Sequence, residues 1–308
     1  MGQGALYLKL VLTAVLWGGT FIAGRILARE VPPFSAAFLR FVVASGILWA
    51  FLWRVRGKVP ALGPRQMAPT VLLGLTGVFA YNALFFLGLQ TVPASRASLI
   101  IANNPVFIAV GSALFFRERL GLLRIAGLAL ALCGALTVIS GGDLSAIWRG
   151  GVGRGEWCIL GCVVSWTLYS LVGKVALRDL PPLVAVSYAC AIGAALLSVP
   201  ALWEGVLARA PSYSLGAWLA IAYLGVCGSA LAFIWYYQGI RAIGPARAGV
   251  FINLVPVSGV ILAFALLGET LDRSVVAGGA LVAVGVWLTN RAGAGGGAPQ
   301  RAGGAPPS

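Results

Sequence analysis

Long apolar runs dominate this chain, parted by short polar stretches. A bilayer core about 30 Å thick is crossed by about 20 apolar residues in a helix, so each run predicts one membrane span. Ten spans fit, at residues 5–27, 34–53, 67–89, 94–116, 121–140, 155–177, 182–203, 215–239, 244–267 and 272–290. The remainder, 291–308, is mostly Gly, Ala and Pro with two Arg. Such a segment cannot bury a core and is expected to be a disordered tail.

The polar positions reveal a repeat. Arg96–Gly134 lies on Arg247–Gly285 without a gap, at a constant shift of 151. Arg96 falls on Arg247, Pro105 on Pro256, Glu118 on Glu269 and Gly134 on Gly285. Upstream, a shift of 149 lays Trp17 on Trp166, Arg25 on Lys174 and Pro32-Pro33 on Pro181-Pro182. Matches of Ala or Leu are cheap in an apolar chain, but matches of Arg, Pro and Glu are not. Each copy holds five spans, at 5–140 and 155–290, so the second enters the bilayer in the opposite sense. That is an inverted-topology repeat, an architecture suited to alternating access. The expected fold is all-α and integral to the membrane, with ten helices in two inverted five-helix repeats.

Pro105 and Pro256 each interrupt an apolar run at matching places. Proline removes a helical hydrogen bond and crowds the carbonyl four residues back, here on Ile101 and Ile252. Asn103, Asn104 and Asn253 sit beside these breaks. Two readings stand: a kink with amides joining helices, or the paired broken helices of a transporter's substrate site.

Charge adds orientation. With the N-terminus in the cytoplasm, 14 Lys and Arg fall in cytoplasmic segments and 7 on the other side, which predicts both termini inside. Only 10% of residues are charged and the mean hydropathy is +0.95, far from a soluble domain's roughly 25% charge. The net charge of +14 lies in short loops, not on one basic face, so it reads as topology signal and lipid contact rather than nucleic-acid binding. There is no histidine, and the five cysteines have no metal spacing, so no metal site and no cofactor are expected. The first apolar run lacks a cleavage site and reads as a retained span.

The motifs resemble the EamA family of the drug/metabolite transporter superfamily. They are Leu16-Trp17-Gly18-Gly19-Thr20-Phe21, Ala37-Phe38-Leu39-Arg40-Phe41, Ala94-Ser95-Arg96-Ala97 with Pro105, and Phe116-Arg117-Glu118-Arg119-Leu120. The second half adds Ser165-Trp166, Pro245-Ala246-Arg247-Ala248 with Pro256, and Leu267-Gly268-Glu269-Thr270. The resemblance implies a carrier of small metabolites, most like bacterial exporters of aromatic amino acids, in the inner membrane. Drug or nucleotide-sugar transport is the alternative within the fold, and a channel or lipid scramblase the alternative outside it. One departure is that Ala189 stands where a partner of Arg40 would be.

The candidate substrate-binding residues are Trp17, Tyr81, Asn82, Phe85, Asn103, Trp166, Tyr169, Trp235, Tyr236 and Asn253. Tyr81 and Phe85 share a helix face, as Trp166 and Tyr169 do at one turn's spacing. A mid-membrane amide is costly unless paired or wetted, which marks Asn82. Together these side chains suggest an aromatic pocket for neutral or zwitterionic metabolites. Aromatic rings filling helix interfaces are the plainer account. Pro105 and Pro256 are the expected kinks at the gates. Glu118 and Glu269 are structural or gating charges, placed for ion pairs with nearby arginines and for helix-end contacts, each weak on its own. Arg40 lies well inside a span. It either snorkels towards the surface or braces carbonyls or a substrate carboxylate. No carboxylate lies at mid-membrane, so uniport or exchange is expected rather than tight proton coupling. Catalysis is not expected, since no nucleophile–base pair lies at depth. The expected partners are a small molecule and the bilayer, with a monomer favoured.

Overall fold

Proline and glycine set many helix boundaries. Helices start at Pro33, Pro64 and Pro182, where the missing N–H falls among groups that have no helical partner anyway. Gly57, at φ 66°, ends one helix in the left-handed conformation that a side chain resists. A computed structural model describes residues 3–58, 60–116, 121–143, 152–243, 251 and 254–294, and among them all regular structure is helical.

The first half holds α1 (Gln3–Leu27), α2 (Pro33–Arg56), α3 (Pro64–Leu73), a π-helical segment (Gly74–Ala80), α4 (Tyr81–Leu89), α5 (Ala94–Ile101), α6 (Asn104–Phe116) and α7 (Leu122–Ile139). The second holds α8 (Arg154–Ala176), α9 (Pro182–Trp203), short α10 (Val206–Arg209), α11 (Leu215–Ala222), a second π segment (Tyr223–Leu231), α12 (Ala232–Ile243), α13 (Leu254–Leu267) and α14 (Arg273–Ala294). Six helical stretches are long and apolar enough to cross a bilayer: Gly4–Leu27, Pro33–Arg56, Pro64–Leu89, Arg154–Gly173, Pro182–Trp203 and Leu215–Tyr236. Ile125–Ile139, Leu254–Leu267 and Arg273–Leu288 are shorter apolar helices. Large apolar side chains such as Leu114, Phe115, Leu122 and Leu215 lie more than two-thirds exposed. In water that surface would drive aggregation, and in lipid it is solvated.

Three expectations need correction. The run 94–116 is not one kinked helix. It breaks at Ala102–Asn103, and Pro105 occupies the first turn of a new helix, where its lost N–H costs little. Pro256 likewise lies in the first turn of α13. Second, the runs at 67–89 and 215–239 are not uniform α-helices, because each contains a π segment. The two segments stand at matching places in the repeat, Gly74 on Tyr223 at shift 149 and Ala80 on Leu231 at shift 151. Third, α14 runs to Ala294, through the first residues of the expected tail.

The packing joins the two halves. α1 lies against α12 and the second π segment, and also against α13, while α8 lies in the same way against α4 and the first π segment, and against α5 and α6. α2 packs on α9 and on the second π segment, and α9 packs on the first. α7 pairs with α14, and α5 with α13. Among the described residues most of these contacts have a counterpart at the repeat shift, in one case down to single atoms. A Cβ on Gly74 would lie 3.0 Å from the Ala189 carbonyl and 2.8 Å from Ile192; a Cβ on Gly225 would lie 3.0 Å from the Arg40 carbonyl and 2.6 Å from Val43. The main buried core draws on both halves, from Phe21, Phe41 and Phe86 to Ile159, Leu197 and Leu224.

Candidate functional site

The π segments explain the polar chemistry at the centre. An inserted residue shifts the hydrogen-bond ladder and leaves carbonyls in need of donors, which lipid does not supply. Here side chains supply them. Asn82 Nδ2 donates to the Val78 carbonyl at 2.8 Å, and Ser229 Oγ donates to the Leu224 carbonyl at 2.9 Å. The opposite half helps too. Ser165 Oγ on α8 donates to the Thr76 carbonyl at 2.8 Å, and Trp17 Nε1 on α1 donates to the Gly228 carbonyl at 3.0 Å. The Tyr223 hydroxyl returns a bond to the Leu16 carbonyl at 2.7 Å.

Arg40, on α2, joins the second π segment to Asn82, which follows the first. Its Nη1 donates to Asn82 Oδ1 at 2.9 Å and its Nε to Ser229 Oγ at 3.2 Å. The side chain does not snorkel: Arg40 is 8% exposed, Asn82 2% and Ser229 fully buried. A neighbourhood of polar groups holds it in the interior, with its guanidinium carbon 5.1 Å from the Phe41 ring centroid.

Aromatic rings flank this centre on both sides. Trp17 packs on Phe233 and Tyr236, with centroids 5.7 and 5.4 Å apart. Tyr81 stacks on Phe85 at 6.0 Å and meets Trp166 at 5.3 Å, and Trp166 meets Tyr169 at 5.1 Å. Phe21, one turn beyond Trp17, reaches Phe85 at 5.4 Å and links the groups. The expected residues therefore come together in two groups, Tyr81, Phe85, Trp166 and Tyr169 in one and Trp17 with Tyr236 in the other, with Asn82 beside Tyr81. Trp235 is half-buried on α12. Asn253 and Glu118 lie outside the described residues, as do Arg247 and its neighbours.

Asn103 stands apart, at the break between α5 and α6. Its Nδ2 donates to the Leu99 and Ile100 carbonyls at 3.2 and 3.1 Å, so the amide serves its own helix end rather than joining helices. Its Oδ1 is buried with no partner among the described residues, and so is Asn104 Oδ1. Asn103 lines a narrow cavity of about 80 Å³ with Phe107, Leu132 and Leu160.

Of the two kinds of contact expected, Glu269 makes the helix-end one. Its carboxylate accepts from the Ala94 and Ser95 N–H groups at 2.8 and 3.0 Å and from Ser95 Oγ at 2.6 Å, capping α5 from the other half. The ion pair nearby is Arg96–Asp272 at 3.6 Å, half-open to solvent and so weak. Two more carboxylates act alike. Glu204 accepts from the Ser35 N–H at 2.7 Å and its hydroxyl at 2.8 Å at the start of α2. Glu30 accepts from the Ser214 N–H and hydroxyl at the start of α11. All three carboxylates tie one half to the other at the end where α1 finishes. A cavity of about 350 Å³ opens there, lined by Ser95, Arg96, Glu269 and Asp272.

The Ser214 hydroxyl, and then its N–H, hold the Glu30 carboxyl below the usual carboxylate range. A depressed acid stabilises the fold above its unfolded pKa and ceases to as the pH falls through its folded value. Melting temperatures of wild type and Glu30→Gln are therefore expected to differ by the same amount from pH 8 to 6. The difference should shrink only below about pH 4.3, the ordinary Glu value. A difference that already closes between pH 8 and 6 would show that another group governs this contact.

Comparison with known proteins decides the family. The model of the EamA-like transporter family matches residues 4–140 and again 153–291. The chain belongs to the EamA-like transporter family. It is thus a multi-pass membrane protein of a transporter family. The uncharacterized transporter YyaM of Bacillus subtilis is 30% identical over 91% of this chain and 92% of its own length. A protein of Streptantibioticus cattleyicolor named "Probable terminal-alkyne amino-acid exporter" is 32% identical over 92% of both chains. The uncharacterized inner membrane transporter YedA of Escherichia coli K12 is 31% identical over 84% of this chain and 82% of its own. A solved crystal structure shares the fold, with a TM-score of 0.63 at 22% identity, over 92% of this chain and 98% of that one.

Within this EamA-like chain the motif residues mostly sit where helices approach closely. Gly18 faces Ser258 and Gly19 faces the Tyr223 hydroxyl, with no room for a Cβ at either. The sequence analysis passed over Ser229 and Glu204, and Ser95 entered it only within the Ala94-Ser95-Arg96-Ala97 motif. Ser229 matches Val78 and Ser95 matches Ala246 at shift 151, so comparing the halves hides both. The usable signal for Ser229 is its place beside Gly225 and Gly228 in an otherwise apolar stretch.

Proposed function

We propose that this chain is a carrier that moves small metabolites, most suitably aromatic and other neutral amino acids, across the bacterial inner membrane by alternating access. The working architecture is ten spans in two inverted five-helix repeats, 5–140 and 155–290, with both termini in the cytoplasm. It acts as a monomer without cofactor or catalysis, by uniport or exchange.

The observation that carries the reading is the buried polar centre at the junction of the halves, Arg40 with Asn82 and Ser229, flanked by Trp17, Tyr81, Trp166 and Tyr236. A site contacted by both repeats is exposed to one side or the other when they rock against each other. The paired helix starts at Pro105 and Pro256 supply bending points. The cross-half caps at Glu30, Glu204 and Glu269 would close one side, and breaking them would open it. The amino-acid exporter among the relatives supports the substrate class.

The test is counterflow in proteoliposomes. Vesicles are preloaded with unlabelled Phe, Trp, Thr or Met, and labelled Phe is added outside with no ion gradient. Saturable accumulation that depends on the preloaded amino acid is expected, and it should survive collapse of the proton gradient. Flux that does not saturate would instead indicate a channel. Accumulation driven only by preloaded sugars or nucleotide-linked compounds would move the substrate class.

A further inference from the structure

We propose that Arg40 is the docking point for an anionic group, a carboxylate, on the transported molecule. The assignment rests on the carrier reading above and narrows its substrate class to compounds bearing that group.

Three observations carry it. First, Arg40 has no carboxylate partner among the described residues. Its two hydrogen bonds go to a neutral amide and a neutral hydroxyl, and its second terminal nitrogen, Nη2, has no partner there. A guanidinium keeps its charge at any working pH and presents donors in a planar fork that fits a carboxylate. Charge buried without a counter-charge is costly, and a residue that persists in that state inside a membrane marks a functional site.

Second, the fold contains its own control. Ala189 occupies the place of Arg40 in the second half. There Gly74 packs against the Ala189 carbonyl and Ile192 just as Gly225 packs against the Arg40 carbonyl and Val43. The helix contact is thus built equally well with a methyl group. A guanidinium is not needed to hold α2 against its neighbour.

Third, the position suits a carrier. Ser229 belongs to the π segment of the second half, Asn82 follows that of the first half and bonds back to its Val78 carbonyl, and Arg40 touches both. An anion arriving at Nη2 is bound by a residue whose other contacts report on both halves, so occupancy and movement are coupled at one side chain. Tyr81, next to Asn82 in the chain and packed on Phe85 and Trp166, supplies an apolar wall for the rest of the molecule.

The experiment measures binding to the purified full-length protein by tryptophan fluorescence and thermal shift. The probes are phenylalanine, phenylpropionate (carboxylate without amine), and phenethylamine (amine without carboxylate). In wild type, phenylalanine and phenylpropionate are expected to bind and phenethylamine to bind roughly tenfold or more weakly, the range of a charged hydrogen bond. Arg40→Met should lose the carboxylate probes, and Arg40→Lys should keep part of their affinity, with circular dichroism reporting the fold. The comparison of probes on wild type needs no variant, so it holds even if Arg40→Met fails to fold.

Equal binding of phenethylamine and phenylalanine would overturn the Arg40 assignment and leave the amino-acid carrier standing. So would unchanged phenylalanine affinity in a folded Arg40→Met. Arg40-dependent binding of phenylpropionate with no binding of phenylalanine would uphold the anion site and sink the amino-acid reading. If neither carboxylate binds wild type at millimolar concentration, Arg40 is a strut and the proposal fails.

Discussion

Asn82→Leu is expected to lower the stability of the protein more than any single aromatic substitution at the centre. The change removes both sides of the amide's bonding at once, the bond accepted from Arg40 and those donated to the Val78 and Gly77 carbonyls. A hydrogen bond to a charged group contributes about 1.5–3 kcal/mol, and leaving a buried polar group unpaired costs about 1–3 kcal/mol. Lipid offers neither group a substitute partner. The expected loss is therefore a few kcal/mol, read as a large fall in melting temperature in detergent. Asn82→Asp separates the two sides. Aspartate still accepts from Arg40 but cannot donate to Val78, so its melt should lie between wild type and Asn82→Leu. A wild-type melt for Asn82→Leu would mean that the bridge between the π segments contributes nothing to the fold.

Gly285→Ala is the second large effect. The α7–α14 contact is made backbone to backbone. A Cβ on Gly285 would stand 2.4 Å from the Ala131 nitrogen and 2.6 Å from the Gly127 carbonyl. On the other side of the same contact, a Cβ on Gly134 would stand 2.6 Å from the Gly278 carbonyl. Backbone atoms cannot step aside like a side-chain tip, so a single methyl must push the two helices apart. Overpacking of this kind costs about 1–3 kcal/mol, and sometimes more, and helices in lipid rely on such close approach. Gly46→Ala, where a Cβ meets nothing within 4 Å, is the control. It should be neutral or slightly stabilising, because alanine is the better helix former. Equal melts for Gly285→Ala and Gly46→Ala would show that the α7–α14 contact is loose in solution.

Much of the fold was legible because the chain states it twice. The Gly127–Gly134 and Gly278–Gly285 pairs fall on each other at shift 151, and they meet across the same contact. Pro105 and Pro256 marked breaks, since a missing N–H has the same consequence in any surroundings. What a break becomes was less legible. Proline permits a kink or a fresh start, and only the surrounding chain selects a second helix at Asn104. The π segments were hidden for a different reason. Their apolar pattern suits an α-helix as well, and the extra residue is held by donors such as Ser165 and Trp17 that lie far away in sequence.

Arg40 and the acidic residues show the same limit. A guanidinium within a span reads as snorkelling or as buried until the neighbours are known, and here Asn82 and Ser229 make burial possible. In the sequence Glu269 stands at a span end near Arg273, and Glu204 at another span end. Their partners are helix N-termini of the other half, where several N–H groups lack acceptors. No local pattern encodes such a pairing, because it depends on which helix end is brought within reach.

By itself, then, the sequence determined the solvent of this protein, its helical class, its internal repeat and the places where helices break. Those follow from hydropathy, from backbone chemistry and from self-similarity, all of which act locally or along the chain. The tertiary structure alone decided that Arg40 is buried with no carboxylate partner among the described residues, that it bonds Asn82 of one half and Ser229 of the other, and that carboxylates of one half cap helices of the other. Those are contacts between residues about 40 to 190 positions apart, and their energies exist only once the two halves have closed on each other.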